Sequence, residues 1–144
     1  MPIDAVGVAR VLGGEKVLGR RVRSVADLRR TVEDGLPVGS LDAVAKHVAR
    51  NDRDAAEIKY RVVPRTTLHR RTRLTPEEGQ RLERLARITV LAEHVWEDQD
   101  LAHEFLTSPQ PQLGGDRPVE LTRSDLGTRE VEDLLQRLEW SLPV

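Results

Sequence analysis

One long amphipathic stretch, from Thr75 to Glu97, constrains the fold more than any other part of the chain. It opens with a helix-start signal, since Thr75 suits the cap, Pro76 the first helical position and Glu78 the third. The face predicted to be buried comprises Leu82, Leu85, Ala86, Ile88, Thr89, Leu91, Ala92, Val95 and Trp96. So wide a face needs several packing partners, which predicts a long helix at the centre of a helical domain.

Composition also favours helices. Only four of the 144 residues are aromatic, so the core must be built from aliphatic side chains, mainly Leu, Val and Ala. We therefore predict an all-α protein. The chain has no cysteine, which excludes a disulfide framework and a thiolate metal site.

Four shorter helices are predicted in the first half of the chain, after a stretch at residues 1–23 whose pattern fits either a turn or a short strand. The first is capped by Ser24 and ends at Gly35, which suits a left-handed cap. A second begins at Ser40, a third spans residues 52–61, and Pro64 opens a fourth. The residues predicted to face the core are Val25, Leu28 and Val32 in the first helix and Leu41, Val44, Ala45 and Val48 in the second. The last three short helices follow the order of a helix-turn-helix.

Charge is divided unevenly along the chain. Residues 1–73 hold 16 basic and 9 acidic side chains, and residues 74–144 hold 7 basic and 15 acidic ones. A basic half joined to an acidic half indicates two different partners. Nucleic acid is the commonest partner of a basic half, and a basic protein surface suits the acidic one. We therefore divide the chain into 1–73 and 74–144, and expect a fragment from about Thr75 to fold alone on a core of its own.

The candidate DNA-binding segment lies between Ile58 and Arg73, where no residue is acidic. On a helix that runs from Pro64 to Arg73, Leu68 would point inward and the basic and polar side chains outward. Cations neutralise phosphates, and Arg, Thr and His reach base edges in the major groove. The residues predicted to contact DNA are Arg61, Arg65, Thr66, Thr67, His69, Arg70 and Arg73. A solvated basic helix is the alternative interpretation.

The acidic half contains a second distinctive segment, from Asp100 to Thr122. Its short helix carries Leu101, Phe105 and Leu106, a glycine turn follows at residues 113–116, and Pro118 restarts helical structure. Thr128 is predicted to cap a last helix, whose buried stripe is Val131, Leu134, Leu135, Leu138 and Leu142. The chain ends with the apolar run 140–144, which either folds back onto the core or docks into a partner.

Catalysis is not expected. The chain has no phosphate-binding glycine loop with a following lysine, no nucleophile elbow and no His-Glu-x-x-His motif. Glu93, His94 and Glu97 suggest a metal-binding helix, but such a site needs a matching second helix, and His103 lacks the spacing to supply one. We therefore expect no cofactor and no metal. With no apolar run long enough for a membrane span and no signal peptide at Met1–Asp4, we expect a cytoplasmic protein.

Several segments resemble the Xre/MbcA/ParS antitoxins, the partners of RES-domain toxins. In the acidic half these are residues 80–87, Ala102, Phe105-Leu106, Pro109, Leu113-Gly114-Gly115, Pro118, Gly127, Val131 and the ending 138–144; in the basic half they are Arg65–Leu68, Arg70-Arg71, Leu12–Gly14 and Val17–Gly19. Trp96-Glu97 stands where relatives often have Phe-Gly, Phe105-Leu106 where they have Trp-Leu, and Ser141 where they have Gly.

The resemblance implies an antitoxin with two tasks. The helix-turn-helix would bind operator DNA as part of a dimer and repress its own operon. The C-terminal half would form a hetero-oligomer with a RES toxin, which consumes NAD or transfers ADP-ribose from it, and would cover the toxin's active-site cleft. The implied toxin-binding residues are Leu113, Gly114, Gly115, Trp140, Ser141, Leu142, Pro143 and Val144. The alternatives are a stand-alone dimeric DNA-binding regulator without a toxin partner and a small metal enzyme.

Overall fold

The protein is all-α, as predicted. The computed structural model describes residues 2–141, and the only β pairing in that range is an isolated bridge between Pro37 and Arg73. Its α-helices are α1 (Ala5–Val11), α2 (Gly14–Leu18), α3 (Val25–Glu33), α4 (Val38–Val48), α5 (Asp52–Val62), α6 (Arg65–Leu68), α7 (Pro76–Trp96), α8 (Gln99–Thr107), α9 (Pro118–Leu121) and α10 (Asp125–Ser141). A 3-10 turn spans Pro111–Leu113.

Helix α7 lies at the centre of the molecule. Its predicted capping box is confirmed: the Thr75 hydroxyl accepts from the Glu78 amide (3.2 Å), and the Glu78 carboxylate accepts from the Thr75 amide (2.8 Å). The predicted apolar face is buried apart from Trp96, which is half-buried against Phe105 with the two ring centroids 6.0 Å apart. The helix packs on α1, α3, α4 and α5 from the first half of the chain and on α8 and α10 from the second.

The buried core does not divide at residue 73. Leu36 and Leu41 from the first half and Leu85 and Leu135 from the second belong to one continuous cluster. Gly79 of α7 shows how close the halves approach, since a Cβ at this position would lie 3.3 Å from a methyl of Val32 on α3. The expectation of a self-contained C-terminal core is therefore wrong.

Most of the predicted helix starts and caps are confirmed, with local differences. Ser24 caps α3, and Gly35 follows it with φ 97°, but Val25 is 49% exposed because it lies in the first turn, away from the core. Helix α4 begins two residues before Ser40, after Pro37, and its predicted stripe is buried. At residues 1–23 the structure contains helices α1 and α2 rather than a strand.

The start of the last helix is also earlier than predicted. Helix α10 begins at Asp125, and the Ser124 hydroxyl accepts a hydrogen bond from the Gly127 amide (3.0 Å). Thr128 is buried inside the first turn, where its hydroxyl donates to the Ser124 carbonyl (2.8 Å). Ser124, rather than Thr128, therefore caps the start of the last helix.

The predicted fourth helix is much shorter than expected. Helix α6 makes one turn, Arg65–Leu68, and Arg70 adopts a left-handed conformation with φ 63°. The next residues pair instead with the connection between α3 and α4 and with the first residue of α4. Thr72 O accepts from the Val38 amide (3.0 Å), and the Leu74 amide donates to Leu36 O (2.7 Å). These tertiary bonds satisfy backbone groups that a helix would otherwise have used.

Among the described residues, no helix is both long enough and apolar enough to span a membrane.

Candidate functional site

The first candidate surface is a basic patch around α6. Arg65, Thr66 and Thr67 are exposed on its single turn, and His69 and Arg70 are exposed directly after it. The Arg65 guanidinium lies over the ring of Tyr60, 4.6 Å from its centroid. Through this cation–π contact, Tyr60 of α5 orients Arg65. The contact was not predicted, because the DNA-binding residues were chosen for their charged or polar side chains and Tyr60 carries no charge.

The predicted DNA-contact cations fall into two groups. Arg61 is already paired with Glu57 (3.0 Å) and with Glu120 of α9 (2.6 Å), and Arg73 donates to the Gly35 carbonyl (2.7 Å). Arg65 and Arg70 form no ion pair within the described range, residues 2–141. They are the cations of this set most available to phosphate groups, whereas Arg61 and Arg73 serve the fold as well.

A four-membered ion network connects α5 to α9. Arg117, directly before α9, pairs with Glu57 (3.1 Å) and Glu120 (2.8 Å), and Arg61 contacts the same two carboxylates. Burial raises the pKa of Glu120, but the hydrogen bond from Arg117 and the charge of Arg61 outweigh it and leave that pKa lowered. The network ties the helix before the basic patch to the glycine loop region of the C-terminal half.

The basic segment is anchored to α7 by one ion pair. Both carboxylate oxygens of Glu78 accept from the Arg71 guanidinium, one of them at 3.0 Å. This contact, together with hydrogen bonds from Thr75, lowers the pKa of Glu78 to about 2 although partial burial opposes the change. Glu78 thus joins the helix cap of α7 to the end of the basic segment.

The second candidate surface lies at the end of α10. Trp140 is 89% exposed, the largest exposure among the big apolar side chains of residues 2–141. Together with Asp133, Gln136 and Arg137 it lines a shallow groove. Ser141 is also exposed, and its hydroxyl donates to the Arg137 carbonyl (2.9 Å). The predicted partner residues Leu142, Pro143 and Val144 lie outside the described residues.

The glycine loop before α9 presents only part of its predicted contact set. Gly114 and Gly115 are exposed and have φ of 68° and 86°, values that favour glycine. Leu113 is only 5% exposed and belongs to the core. Its buried side chain therefore anchors the loop to the core and is not available to a partner in this conformation.

A third cluster was not predicted. The Nε2 atoms of His47 on α4 and His103 on α8 both lie 3.0 Å from the same oxygen, Oε2, of Glu93 on α7. The expectation that His103 could not join Glu93 is wrong, because α8 folds back against α7. His94, which follows Glu93 in the chain and was predicted to act with it, points elsewhere and contacts Glu139 (3.0 Å).

The electrostatics of this cluster centre on Glu93. Burial raises the pKa of its carboxyl group, but hydrogen bonds and charge interactions with His47 and His103 outweigh burial, so the net pKa is lowered. The two imidazole rings meet edge to face, with their centroids 5.1 Å apart. No spacing rule links residues 46 positions apart, so only the packing of three helices reveals the cluster.

Comparison with known families agrees with the arrangement of the two candidate surfaces. Residues 27–87 match the model of the antitoxin Xre-like helix-turn-helix domain, and residues 91–140 match that of the antitoxin Xre/MbcA/ParS C-terminal toxin-binding domain. The chain belongs to the Xre/MbcA/ParS family of antitoxins. Neither matched domain is that of an enzyme. The two matches meet inside α7, between residues 87 and 91, which agrees with its position between the halves.

One curated relative adds to this assignment. A protein of Pseudomonas putida described as "Antitoxin Xre" is 32% identical over 81 residues, which make up 54% of this chain and 51% of that protein. The match therefore spans about half the length of the relative. The basic patch lies within the helix-turn-helix match, and Trp140 is the last residue of the toxin-binding match.

Proposed function

We propose that this chain is a type II antitoxin that binds two partners through the two surfaces described above. As a homodimer it binds operator DNA through the basic patch around α6 and represses its own operon. Through the end of α10 it binds a RES-domain toxin, which consumes NAD or transfers ADP-ribose from it, and covers the toxin's cleft. One observation carries the proposal. The exposed Arg65 and Arg70 lie within the helix-turn-helix match, and the exposed Trp140 lies within the toxin-binding match.

The DNA-binding part of the proposal rests on charge and exposure. Arg65 and Arg70 are exposed and without a carboxylate partner in the described chain, so they are available to release counterions from DNA. Thr66 and Thr67 are exposed beside Arg65 on the same turn, where hydroxyl groups suit base edges or phosphates. Two copies related by a twofold axis would present two such patches to a palindromic operator.

The toxin-binding part rests on an apolar anchor in acidic surroundings. Trp140 is nearly fully exposed, although burying a tryptophan is strongly favourable. Glu130 and Asp133 are exposed along the same helix, in a half of the chain that carries 15 acidic and 7 basic residues. A cleft that binds the phosphates of NAD tends to be basic, so an acidic helix with an apolar tip suits it.

The alternative is a stand-alone DNA-binding regulator whose acidic half serves dimerisation alone. The two proposals differ in whether a second protein, encoded next to this chain, co-purifies with it. A RES-domain protein that co-purifies at fixed stoichiometry supports the antitoxin, and a homodimer without any such protein supports the regulator.

One truncation tests the antitoxin proposal directly. Removing residues 141–144 takes away the predicted cleft-covering tail, and we expect growth rescue to disappear when the truncated chain is co-expressed with the RES toxin. Operator binding by the truncated chain should be unchanged, because the basic patch is intact. Full rescue by the truncated chain would contradict the cleft-covering role, and failure to bind the operator would contradict the separation of tasks.

A further inference from the structure

We infer that His47, Glu93 and His103 form a binding site for one divalent transition-metal ion of the zinc type. One potential ligand atom from each side chain lies within 4.8 Å of the other two. The three side chains are partly buried, with 29%, 19% and 14% of their surfaces exposed, respectively. The site depends on neither DNA nor a toxin, so it stands apart from the proposed function.

The donor atoms suit such an ion. Imidazole nitrogen is a preferred ligand of Zn²⁺, Ni²⁺ and Cu²⁺, and two histidines with one glutamate are a known zinc ligand set that leaves the fourth position to water. Mg²⁺ and Ca²⁺ prefer oxygen ligands and fit this set poorly. The two imidazoles and one carboxylate therefore favour a borderline-soft ion such as Zn²⁺ over the more abundant hard ions Mg²⁺ and Ca²⁺.

The distances need little adjustment. A tetrahedral ion with bonds of about 2.0–2.1 Å holds its ligand atoms about 3.3 Å apart. Each imidazole Nε2 already lies 3.0 Å from Glu93 Oε2. Those two pairs need to open by only about 0.3 Å to reach that spacing, and the ligand atoms of the two imidazoles lie within 4.8 Å of each other.

There is also room for a fourth ligand. His47 and Glu93 line an open cleft of about 590 Å³ between α1, α4 and α7. Asp4, Arg10 and Gln99 are among the polar side chains at its wall. Water, or an oxygen ligand from a small anion, could therefore complete the coordination from this side.

The same contacts would also form in a metal-free hydrogen-bonded bridge, and the two arrangements differ in where the protons lie. In the bridge, each Nε2 carries a hydrogen that it donates to Glu93. In the metal site, each Nε2 presents a lone pair to the ion, and its hydrogen moves to Nδ1. Only a titration with metal distinguishes them.

The chain offers a matched set of variants, because it has four histidines and only two belong to the site. The experiment uses untagged full-length protein, stripped with EDTA, dialysed and titrated with ZnCl₂ in a calorimeter. We expect one Zn²⁺ per chain, and binding at least tenfold weaker in His47→Gln and in His103→Gln, since even outer-sphere partners contribute 10- to 100-fold. His69→Gln and His94→Gln should bind as the natural protein does, and MgCl₂ should give no binding.

A second measurement does not depend on a variant that folds. Adding one equivalent of Co²⁺ to the natural protein should produce visible absorption more intense than that of the aqueous ion, and Zn²⁺ should remove it. Natural protein that binds no zinc at micromolar concentration, or that gives only the spectrum of aqueous Co²⁺, would overturn the inference. Equally weakened zinc binding in His94→Gln and His103→Gln would overturn it as well, because it would indicate nonspecific histidine binding.

Discussion

The basic segment of residues 65–73 and helix α10 are the two surfaces proposed for partners, yet they are built in different ways. Helix α10 has 17 residues and buries Val131, Leu134 and Leu135 against the core. The basic segment has a single helical turn with no fully buried side chain, and its later residues are held by hydrogen bonds to the connection between α3 and α4.

The difference shows what holds a short helix in a small protein. A regular buried stripe stabilises α10 through packing, whereas a run of cations supplies no such stripe and adds repulsion between neighbouring charges. The segment therefore takes the conformation that tertiary interactions offer, such as the pairing of Arg71 with Glu78. The two surfaces should accordingly differ in stability, in salt dependence and in response to pH.

The largest effect is expected from separating the two halves. A fragment of residues 75–144 should no longer fold cooperatively, because α7 would lose its packing against α1, α3 and α4. Circular dichroism during thermal unfolding measures this, with the full-length chain as the reference. Co-expression of residues 1–74 with the fragment should restore a folded complex. A fragment that unfolds cooperatively on its own would show that the C-terminal half needs no partner in the core.

Removing Arg65 and Arg70 comes next. The double substitution R65A/R70A should weaken operator binding by roughly 1–3 kcal/mol for each base or phosphate interaction removed and reduce the salt slope by about 2. The matched control is R20A/R21A, which removes the same charge from arginines paired with Asp34 and Glu15. Gel-shift titrations at several salt concentrations report both quantities, and equal behaviour of the two variants would exclude the basic patch as the DNA surface.

The substitution W140A should have a smaller effect with a different dependence on salt. Truncating a tryptophan anchor often costs about 2 kcal/mol or more of binding free energy. Because the interaction that this substitution removes is apolar, the difference between variant and natural protein should change little with salt concentration. L126A, which removes an exposed apolar side chain at the other end of α10, is the control. Toxin binding is measured by calorimetry, and a W140A affinity equal to that of L126A would remove Trp140 from the interface.

The smallest effect concerns pH. Glu78 has a pKa of about 2 in the folded protein, lowered from its usual 4.5, so its ion pair stabilises the fold above pH 4.5 and is lost as the pH falls towards 2. E78Q keeps a capping side chain but not the charge, and should reduce the free energy of unfolding at pH 7 by about 1–3 kcal/mol. The difference should shrink as the pH falls below 4.5 and vanish below about pH 2. E77Q, at an exposed neighbour, is the control in urea unfolding, and a deficit that persists at low pH would exclude the ion pair as its cause.

Much of the fold follows from local sequence signals. The capping box at Thr75, the stripe from Leu41 to Val48 and the left-handed Gly35 were all predicted and are all present. These features depend on residues a few positions apart, so periodicity and capping rules detect them. The exposed position of Arg65 was predicted in the same way, whereas the sequence left open whether Trp140 folds back onto the core or stays exposed for a partner.

The features that were missed depend on residues far apart in the chain. The length of α6 is limited by bonds to Leu36 and Val38, and the cluster around Glu93 joins helices α4, α7 and α8. The division at residue 73 followed charge, which is a property of the surface, and it stays a prediction, whereas the buried core is continuous across residue 73. Surface charge therefore carries no information about how the two halves share the core.

The close approach at Gly79 limits how this chain can be recombined with its relatives. Any side chain at residue 79 would press on Val32 and Leu36, so α3 and the start of α7 must be matched to each other. A second such approach lies at Gly7, where a Cβ would come within 3.2 Å of Val90. A hybrid that exchanges one half with a relative therefore packs as this chain does only where the donated half leaves the space facing both glycines unchanged. The packing of the two halves thus has to be matched, whichever partner the hybrid is meant to bind.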